Sequence, residues 1–340
     1  MTILDGLARK AAGIGVAAAF AAMFAVGLVP SGASAAACAP SIPTCGCTIS
    51  SPGSYTLTGS DPMNSTGTCV DITASNVSLV GSHQALKGPG PTTSTFGVHI
   101  EPTANKVFLN AFDVENFGQG IRVDGPNASV GDVVTTGNNK GMVVNGANAY
   151  AFVVFSTADN LVGIQVNSTA THFTMMVGGA FSDAGAGMKL NGVSGAFIDS
   201  FEAGDNGTFG IWLNSASNNA ISDFSSVSNG LAGAYLGCNP TGPNGTACPA
   251  GMPSSNGNSL MGNALKGTAA PSDVSNSGSQ RFGIAVGLGS RGNRFAQIMG
   301  SGNLKDDALD ENPNCANNRW LFDSFTTSSP AKNTTFFCLN

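Results

Sequence analysis

Charge is scarce in this chain: Asp, Glu, Lys and Arg together make up 10% of its 340 residues. With 14 basic and 20 acidic residues the formal net charge is -6, and no basic stripe of useful length exists, which argues against a nucleic-acid partner. Histidine occurs at three positions, and neither His83 nor His172 has a second ligand at metal spacing. Helical spacing of apolar residues is absent, as are the repeated Thr-x-Thr ladders of an ice-binding solenoid. Cysteine is missing from residues 70 to 237, although eight occur elsewhere, so this long middle must be held by something other than disulfides.

What the middle does have is a phrase of glycine, aliphatic, variable residue, aliphatic. It reads Gly97-Val98-His99-Ile100, Gly120-Ile121-Arg122-Val123, Gly141-Met142-Val143-Val144, Gly163-Ile164-Gln165-Val166, Gly187-Met188-Lys189-Leu190, Gly210-Ile211-Trp212-Leu213 and Gly233-Ala234-Tyr235-Leu236. The glycines recur every 21 to 24 residues, the mark of one small unit stacked on itself because it cannot bury its own apolar face. Alternation within the phrase is the period of a half-buried strand. About ten residues later a second apolar cluster follows, as in Val107-Phe108-Leu109, Val153-Val154-Phe155 and Phe197-Ile198. Two or more short strands per period, separated by turns, describe one coil of a parallel β-helix. The regular aliphatics also supply a core that a disordered chain of similar low charge lacks.

These seven phrases resemble the right-handed parallel β-helix superfamily that includes pectate lyases. The lead-in from Cys47 to Leu57 and the closing Asn317-Asn318-Arg319-Trp320 and Phe325 to Pro330 resemble bacterial secreted β-helix repeat proteins of undefined activity. The resemblance implies an all-β, single-stranded right-handed solenoid, and it is specific for fold and weak for activity, since such folds host many chemistries.

The ends of the chain suggest export. Residues 1–35 read as a signal peptide, with Arg9 and Lys10 before an apolar run and the small residues Ala33-Ser34-Ala35 at its close, which predicts a secreted or periplasmic protein with no membrane attachment after cleavage. Residues 36–68 are expected to form an N-terminal cap, 69–302 the β-helix with insertion loops at about 237–282, and 303–340 a C-terminal cap. An even cysteine count behind a signal implies disulfides. Sequence proximity predicts Cys238–Cys248 and Cys315–Cys338, with Cys47–Cys69 the favoured pair among the first four. A monomer is the expected state.

Stacking turns columns of the alignment into ladders about 4.8 Å apart. The variable column, His99, Arg122, Val143, Gln165, Lys189, Trp212 and Tyr235, is expected to form one exposed line whose rings stack on sugars and whose cations neutralise carboxylates. His99, Gln165, Trp212 and Tyr235 are its candidate substrate-binding residues. Two residues on, Asn145, Asn167, Asn191 and Asn214 read as a turn ladder. At that register Glu101 and Asp124 break the pattern and, with Asp71, His99 and Arg122, form an ionisable cluster. Its carboxylates would share a proton, bind a cation such as calcium through Asp71, Glu101 and Asp124, or pair with Arg122. Glu115, Asp159, Asp183 and Asp205, which stand just before the next glycine, read as turn residues.

Glycoside hydrolysis needs two positioned carboxyls, and the Asn-Thr-Asp, Gly-His-Gly and Arg-Ile-Lys strings of polygalacturonase-like members are absent. Elimination from a uronic acid needs a base and a cation or arginine on the carboxylate, parts that Arg122 and Lys189 are the candidates to play, so any catalysis is expected to be lyase-like. The expected function is polysaccharide binding along the outward strand face, with or without processing. The alternative is a structural or adhesive surface protein whose columns only hold the stack.

Overall fold

A computed structural model of the chain describes residues 36–159, 161–243, 247–249, 252–262, 272–273, 280–321 and 323–329. The expected signal peptide and Cys338 lie outside these residues. The described part is a parallel β-helix. Two 13-stranded parallel sheets run its length, and a 3-stranded sheet joins them near the C-terminal end. Each phrase glycine opens a strand of sheet one, such as Gln119–Val123, Lys140–Val144 and Val162–Asn167. Each second apolar cluster forms a longer strand of sheet two, such as Val107–Glu115, Ser129–Thr136 and Tyr150–Thr157.

Register follows the phrase. Val98, Ile121, Met142, Ile164, Met188, Ile211 and Ala234 pair in sequence across sheet one, as do Ile100, Val123, Val144, Val166, Leu190, Leu213 and Leu236. All fourteen are buried, and each side chain the size of valine or larger contributes about 1.5–3 kcal/mol on burial. Sheet two strands bend at their middles, where Ala111, Asp132, Val153, Val177, Ser200 and Asp223 have positive φ between 50° and 62°. That left-handed residue drops out of the pairing on each rung and folds one strand over two faces of the coil.

At each phrase glycine a Cβ would stand 2.5–2.9 Å from the carbonyl of the glycine on the next rung, and a buried polar column stacks beside most of them. Asn138, Asp159, Asp183, Asn206, Asn229 and Gln280 are all within 1% of full burial and hydrogen-bond from rung to rung. A Cβ at Gly163 would come within 2.6 Å of Ser156 Oγ and 2.7 Å of the Gly187 carbonyl. Here the turn reading of Asp159 and Asp183 is corrected: both occupy interior ladder positions that other rungs give to asparagine. Burial pushes the Asp159 carboxyl up to about 6 and the Asp183 carboxyl up to about 7, against the hydrogen bonds that favour ionisation. Asp183 Oδ2 is buried with no hydrogen-bond partner, so no donor stabilises a charge on it. Glu115 pairs with Lys87 at 3.5 Å, and Asp205 sits in the left-handed corner.

Both sheets have strands in the end segments. Cys47–Ile49 and Gly53–Leu57 already belong to sheets one and two. Asp306–Asp310 and Arg319–Leu321 extend the same sheets at the other end. Beneath the insertion, Phe282–Val286 pairs directly with Ala232–Leu236, and Ser259–Met261 pairs with Ala220–Val227.

Cys238 and Cys248 are bonded, as expected, with Cα atoms 5.6 Å apart. The Cys47–Cys69 expectation is overturned: Cys47 bonds Cys38 and Cys45 bonds Cys69. The reason is the turn at Gly46, whose φ of 93° separates the two thiols. Cys47 then meets the preceding rung and Cys45 the following one. Cys338, the expected partner of Cys315, lies outside the described residues.

Candidate functional site

The outward column is in register as the repeat demands: Asp71, His99, Arg122, Val143, Gln165, Lys189, Trp212 and Tyr235 pair one to the next across sheet one. It does not form one exposed line. Its first half is open except at Val143, which is 4% exposed, with His99, Arg122, Gln165 and Lys189 partly exposed, whereas Trp212 is 9% and Tyr235 2% exposed.

The open half begins at His99. Its Nδ1 lies 3.2 Å from Asp71 Oδ1 and 3.2 Å from Glu101 Oε1, and its Nε2 lies 3.0 Å from Asp124 Oδ2. Burial works to lower the His99 pKa, but contacts with Asp71 and Asp124 and the charge of Glu101 outweigh it, so the imidazole is held above its ordinary value. The three carboxylates suggested as a calcium set therefore stand on opposite sides of one ring. Asp71, Glu101 and His99 Nδ1 form a group whose ligand atoms lie within 4.8 Å of one another. Asp124 is turned away, receiving Arg122 Nε at 2.7 Å and Asn145 Nδ2 at 2.5 Å. Burial raises the Asp124 pKa, yet those two donors and His99 outweigh it, and the carboxyl ends below its usual range. A pocket of about 410 Å³ opens at this end, lined by Thr48, Thr68, Asp71, Phe96, His99 and Glu101.

Asp124 also terminates the asparagine ladder. Asn145, Asn167, Asn191 and Asn214 each donate Nδ2 to the side-chain oxygen one rung before, at 2.5, 2.7, 3.2 and 2.6 Å. The amide dipoles run head to tail, and the acceptor-only carboxylate closes the row. Gln165 donates to Asn167 at 2.7 Å and so lies along this ladder.

Lys140, which sequence reasoning passed over, belongs to the open half. It pairs with Gln119 and Val162 in the position just before each phrase glycine. Burial lowers its pKa, and the charge of Arg122 lowers it further. Lys189 is lowered by burial and then by Lys140. Arg122, Lys140 and Lys189 thus form a row of cations that feel one another, and among the described residues neither lysine is in an ion pair. The signal was available in that column, where Lys140 is the cation among Gln119, Val162, Ala186, Phe209 and Ala232.

Lys189 marks the seam with the covered half, its Nζ 4.0 Å above the Trp212 ring. Beyond it Phe209, Trp212, Ala232, Tyr235, Phe282 and Ala285 form a second apolar cluster outside the solenoid core. Phe209 packs on Trp212 and Tyr235 with centroids 5.2 and 5.0 Å away. The stapled loop closes over them: Trp212 Nε1 donates to the Gly237 carbonyl at 2.7 Å, and Gly242 lies against Phe209 and Leu231. Burial raises the Tyr235 phenol pKa far above its ordinary value.

No protein-family model matches the chain, and no curated protein matches its sequence. Solved structures do match. The Dettilon tailspike protein aligns at 12% identity over 83% of this chain and 60% of its own, with a TM-score of 0.50. The fold is that of the pectate-lyase-like parallel β-helix proteins. The enzymatically active domain of tailspike protein 2 from bacteriophage CBA120 aligns at 13% identity over 81% of this chain and 40% of its own, with a TM-score of 0.49. The A-module of the Azotobacter vinelandii mannuronan C-5 epimerase AlgE4 aligns at 13% identity over 81% and 85%, with a TM-score of 0.48. This β-helix therefore spans only about 40% and 60% of the two tailspikes' lengths. At such identities the likeness is one of fold, and the activity has to be argued from the site.

Proposed function

We propose that this protein is a secreted β-helix that binds an acidic extracellular polysaccharide on the outward face of sheet one, along the row from Arg122 through Lys140 to Lys189. The observation that carries the reading is the row itself. In a chain of net charge -6, three cations share one sheet face, and burial together with mutual repulsion lowers both lysine pKa values. Holding like charges together costs stability, and a polyanion laid across them offsets that cost. A uronate chain offers carboxylates in series, and strand spacing sets Arg122 and Lys189, three rungs apart in one column, at a multiple of about 4.8 Å, with Lys140 on a rung between them in the column before the glycine. Gln165 and the asparagine ladder beside it offer amides to sugar hydroxyls. Cys38–Cys47, Cys45–Cys69 and Cys238–Cys248 suit an oxidising compartment.

In the same proposal, Arg122 neutralises a uronate carboxylate, and Lys189, whose lowered pKa eases loss of its proton, is the group to take up a proton if the chain is cut by elimination. Calcium is proposed only at Asp71 and Glu101. The neighbouring imidazole nitrogen does not fit an oxygen-seeking ion, so no step is routed through it. The test is calorimetric titration of the protein with polygalacturonate and with alginate, with and without calcium, while absorbance follows new unsaturated ends. Binding by the parent and its loss in a Lys140→Ala/Lys189→Ala variant are expected. A parent that binds neither polymer, or a variant that binds as the parent does, would leave the face purely structural.

A further inference from the structure

Aromatic side chains expected on sheet one are buried, yet exposed rings are present on sheet two. Phe108, Tyr150 and Phe197 are 36%, 38% and 41% exposed. They share one outward column, which reads Ser78, Phe108, Ser129, Tyr150, Thr174, Phe197 from rung to rung. The neighbouring outward column reads Val80, Asn110, Gly131, Phe152, Met176, Asp199. Phe152 does not stand over its own rung. A methyl on Gly131 would run into its ring, so the ring lies back over the preceding rung, across the gap the glycine leaves.

That placement sets Phe152 between Phe108 and Tyr150. Its centroid is 6.4 Å from Phe108 at an interplanar angle of 14° and 5.7 Å from Tyr150 at 29°. Three near-parallel rings thus span three consecutive rungs. Val153, at the bend beside Phe152, is 38% exposed and holds a φ of 52°, a costly conformation for a β-branched residue.

We infer that this aromatic strip, Phe108, Phe152 and Tyr150, is a second glycan-binding surface, and that it takes an uncharged polysaccharide. The inference rests on the polysaccharide reading above but concerns another sheet and another sugar chemistry. Charge decides the class of ligand: the two columns, from Ser78 to Phe197 and from Val80 to Asp199, hold no cation, and their one charged residue, Asp199, is an acid on the Phe197 rung beyond the three rings, so nothing there repays the desolvation of a carboxylate or a sulfate. What the columns offer is aromatic area interleaved with the hydroxyls of Ser129 and Thr174 and the amide of Asn110. A pyranose, with one apolar face and a rim of hydroxyls, matches that mixture. At the corner leading into these strands runs an exposed amide row, where Asn127 donates to Asn105 at 2.9 Å and Asn148 donates to Asn127 at 3.1 Å. A hydrophobic protein partner would leave these amides and hydroxyls without partners, whereas a sugar edge pairs with them.

The test uses the oxidised protein, with cellohexaose and maltohexaose as neutral probes and polygalacturonate as the charged one. The parent is expected to bind a neutral hexaose. Phe108→Ala/Tyr150→Ala, at exposed positions, is expected to weaken that binding about tenfold or more while leaving polygalacturonate binding within about twofold. Thr174→Tyr, which fills the gap between Tyr150 and Phe197, is expected to tighten it severalfold, so the outcome does not hang on a loss-of-function variant alone. A parent that binds no neutral hexaose, or a double variant that binds it as the parent does, overturns the inference. Concentration-dependent dimerisation removed by the double variant, with no sugar bound, overturns it too and gives the strip to a second copy of the chain. If neutral hexaoses bind through the rings while polygalacturonate does not bind at all, this inference stands and the cationic-row reading falls.

Discussion

The two halves of the sheet one outward column occupy equivalent positions in the repeat and have opposite fates. Between His99 and Lys189 the polar side chains are partly exposed and three of them are ionisable, with only Val143 buried, while Trp212 and Tyr235, on the next two strands, lie under the stapled loop. The local backbone is the same in both halves. The difference teaches that the repeat fixes which way a side chain points, whereas its burial depends on what the chain does elsewhere, here an insertion that follows directly on Leu236.

The sharpest way to break this comparison is to truncate the covered rings. Trp212→Ala and Tyr235→Ala should each cost about 3–5 kcal/mol, the loss seen for large buried aromatics, in denaturant unfolding. Losses near zero would mean that both rings are solvent-exposed. Next in size is the interior ladder beneath the column. Asp159 and Asp183 have raised folded-state values, so between about pH 4 and 7 the native chain binds more protons than the unfolded one, and stability falls as pH rises through that window. Asp183→Asn, which restores the amide found on other rungs, should remove a penalty of up to about 4 kcal/mol above pH 7 and flatten the slope. An unchanged pH profile in thermal melts would refute the protonated assignment.

Smaller effects are expected on the open half. Arg122→Ala and Lys189→Ala should each weaken polygalacturonate binding about fivefold, roughly 1 kcal/mol, with stability changed by less than that. Stability losses like those at Trp212 would erase the distinction between the halves. An effect of similar size, on stability and confined to low pH, is expected at His99. Its folded pKa is raised, so its contribution is fully present below its unfolded value near 6.5 and is lost as pH rises through the folded one. His99→Gln should remove that pH dependence at a cost of about 1 kcal/mol at low pH, read from melts at paired pH values. A parent whose stability does not fall in that window would show that the imidazole is not charged.

Much of the fold was legible because a parallel stack converts sequence period into contact. Gly163-Ile164-Gln165-Val166 sits beside its counterparts in the neighbouring coils because the turns between them are of nearly constant length. The asparagine ladder was legible for the same reason, since Asn145, Asn167, Asn191 and Asn214 share one offset from the glycine. The cationic row was half legible: Arg122 and Lys189 stand in the variable column, but Lys140 stands just before the phrase glycine, outside the columns the repeat singles out, and was passed over. Burial of Trp212 and Tyr235 left only an indirect trace, the apolar residues Phe209, Ala232 and Phe282 that the column before the glycine carries on both sides of the insertion.

By itself, then, the sequence determined the strand register, the inward aliphatic columns and the positions where only glycine clears the rung above, because each of these depends on neighbours one period away. Tertiary structure decided which thiol each of Cys45 and Cys47 met, since one turn at Gly46 separates them. It decided that His99 divides its three carboxylates between two ring nitrogens, and that Asp159 and Asp183 point into the stack and not out of a turn. It also decided that a loop would cover two aromatic rings on sheet one and leave three bare on sheet two. Those outcomes depend on side-chain direction at corners and on the path of a returning loop, which the spacing of residues along one strand does not specify.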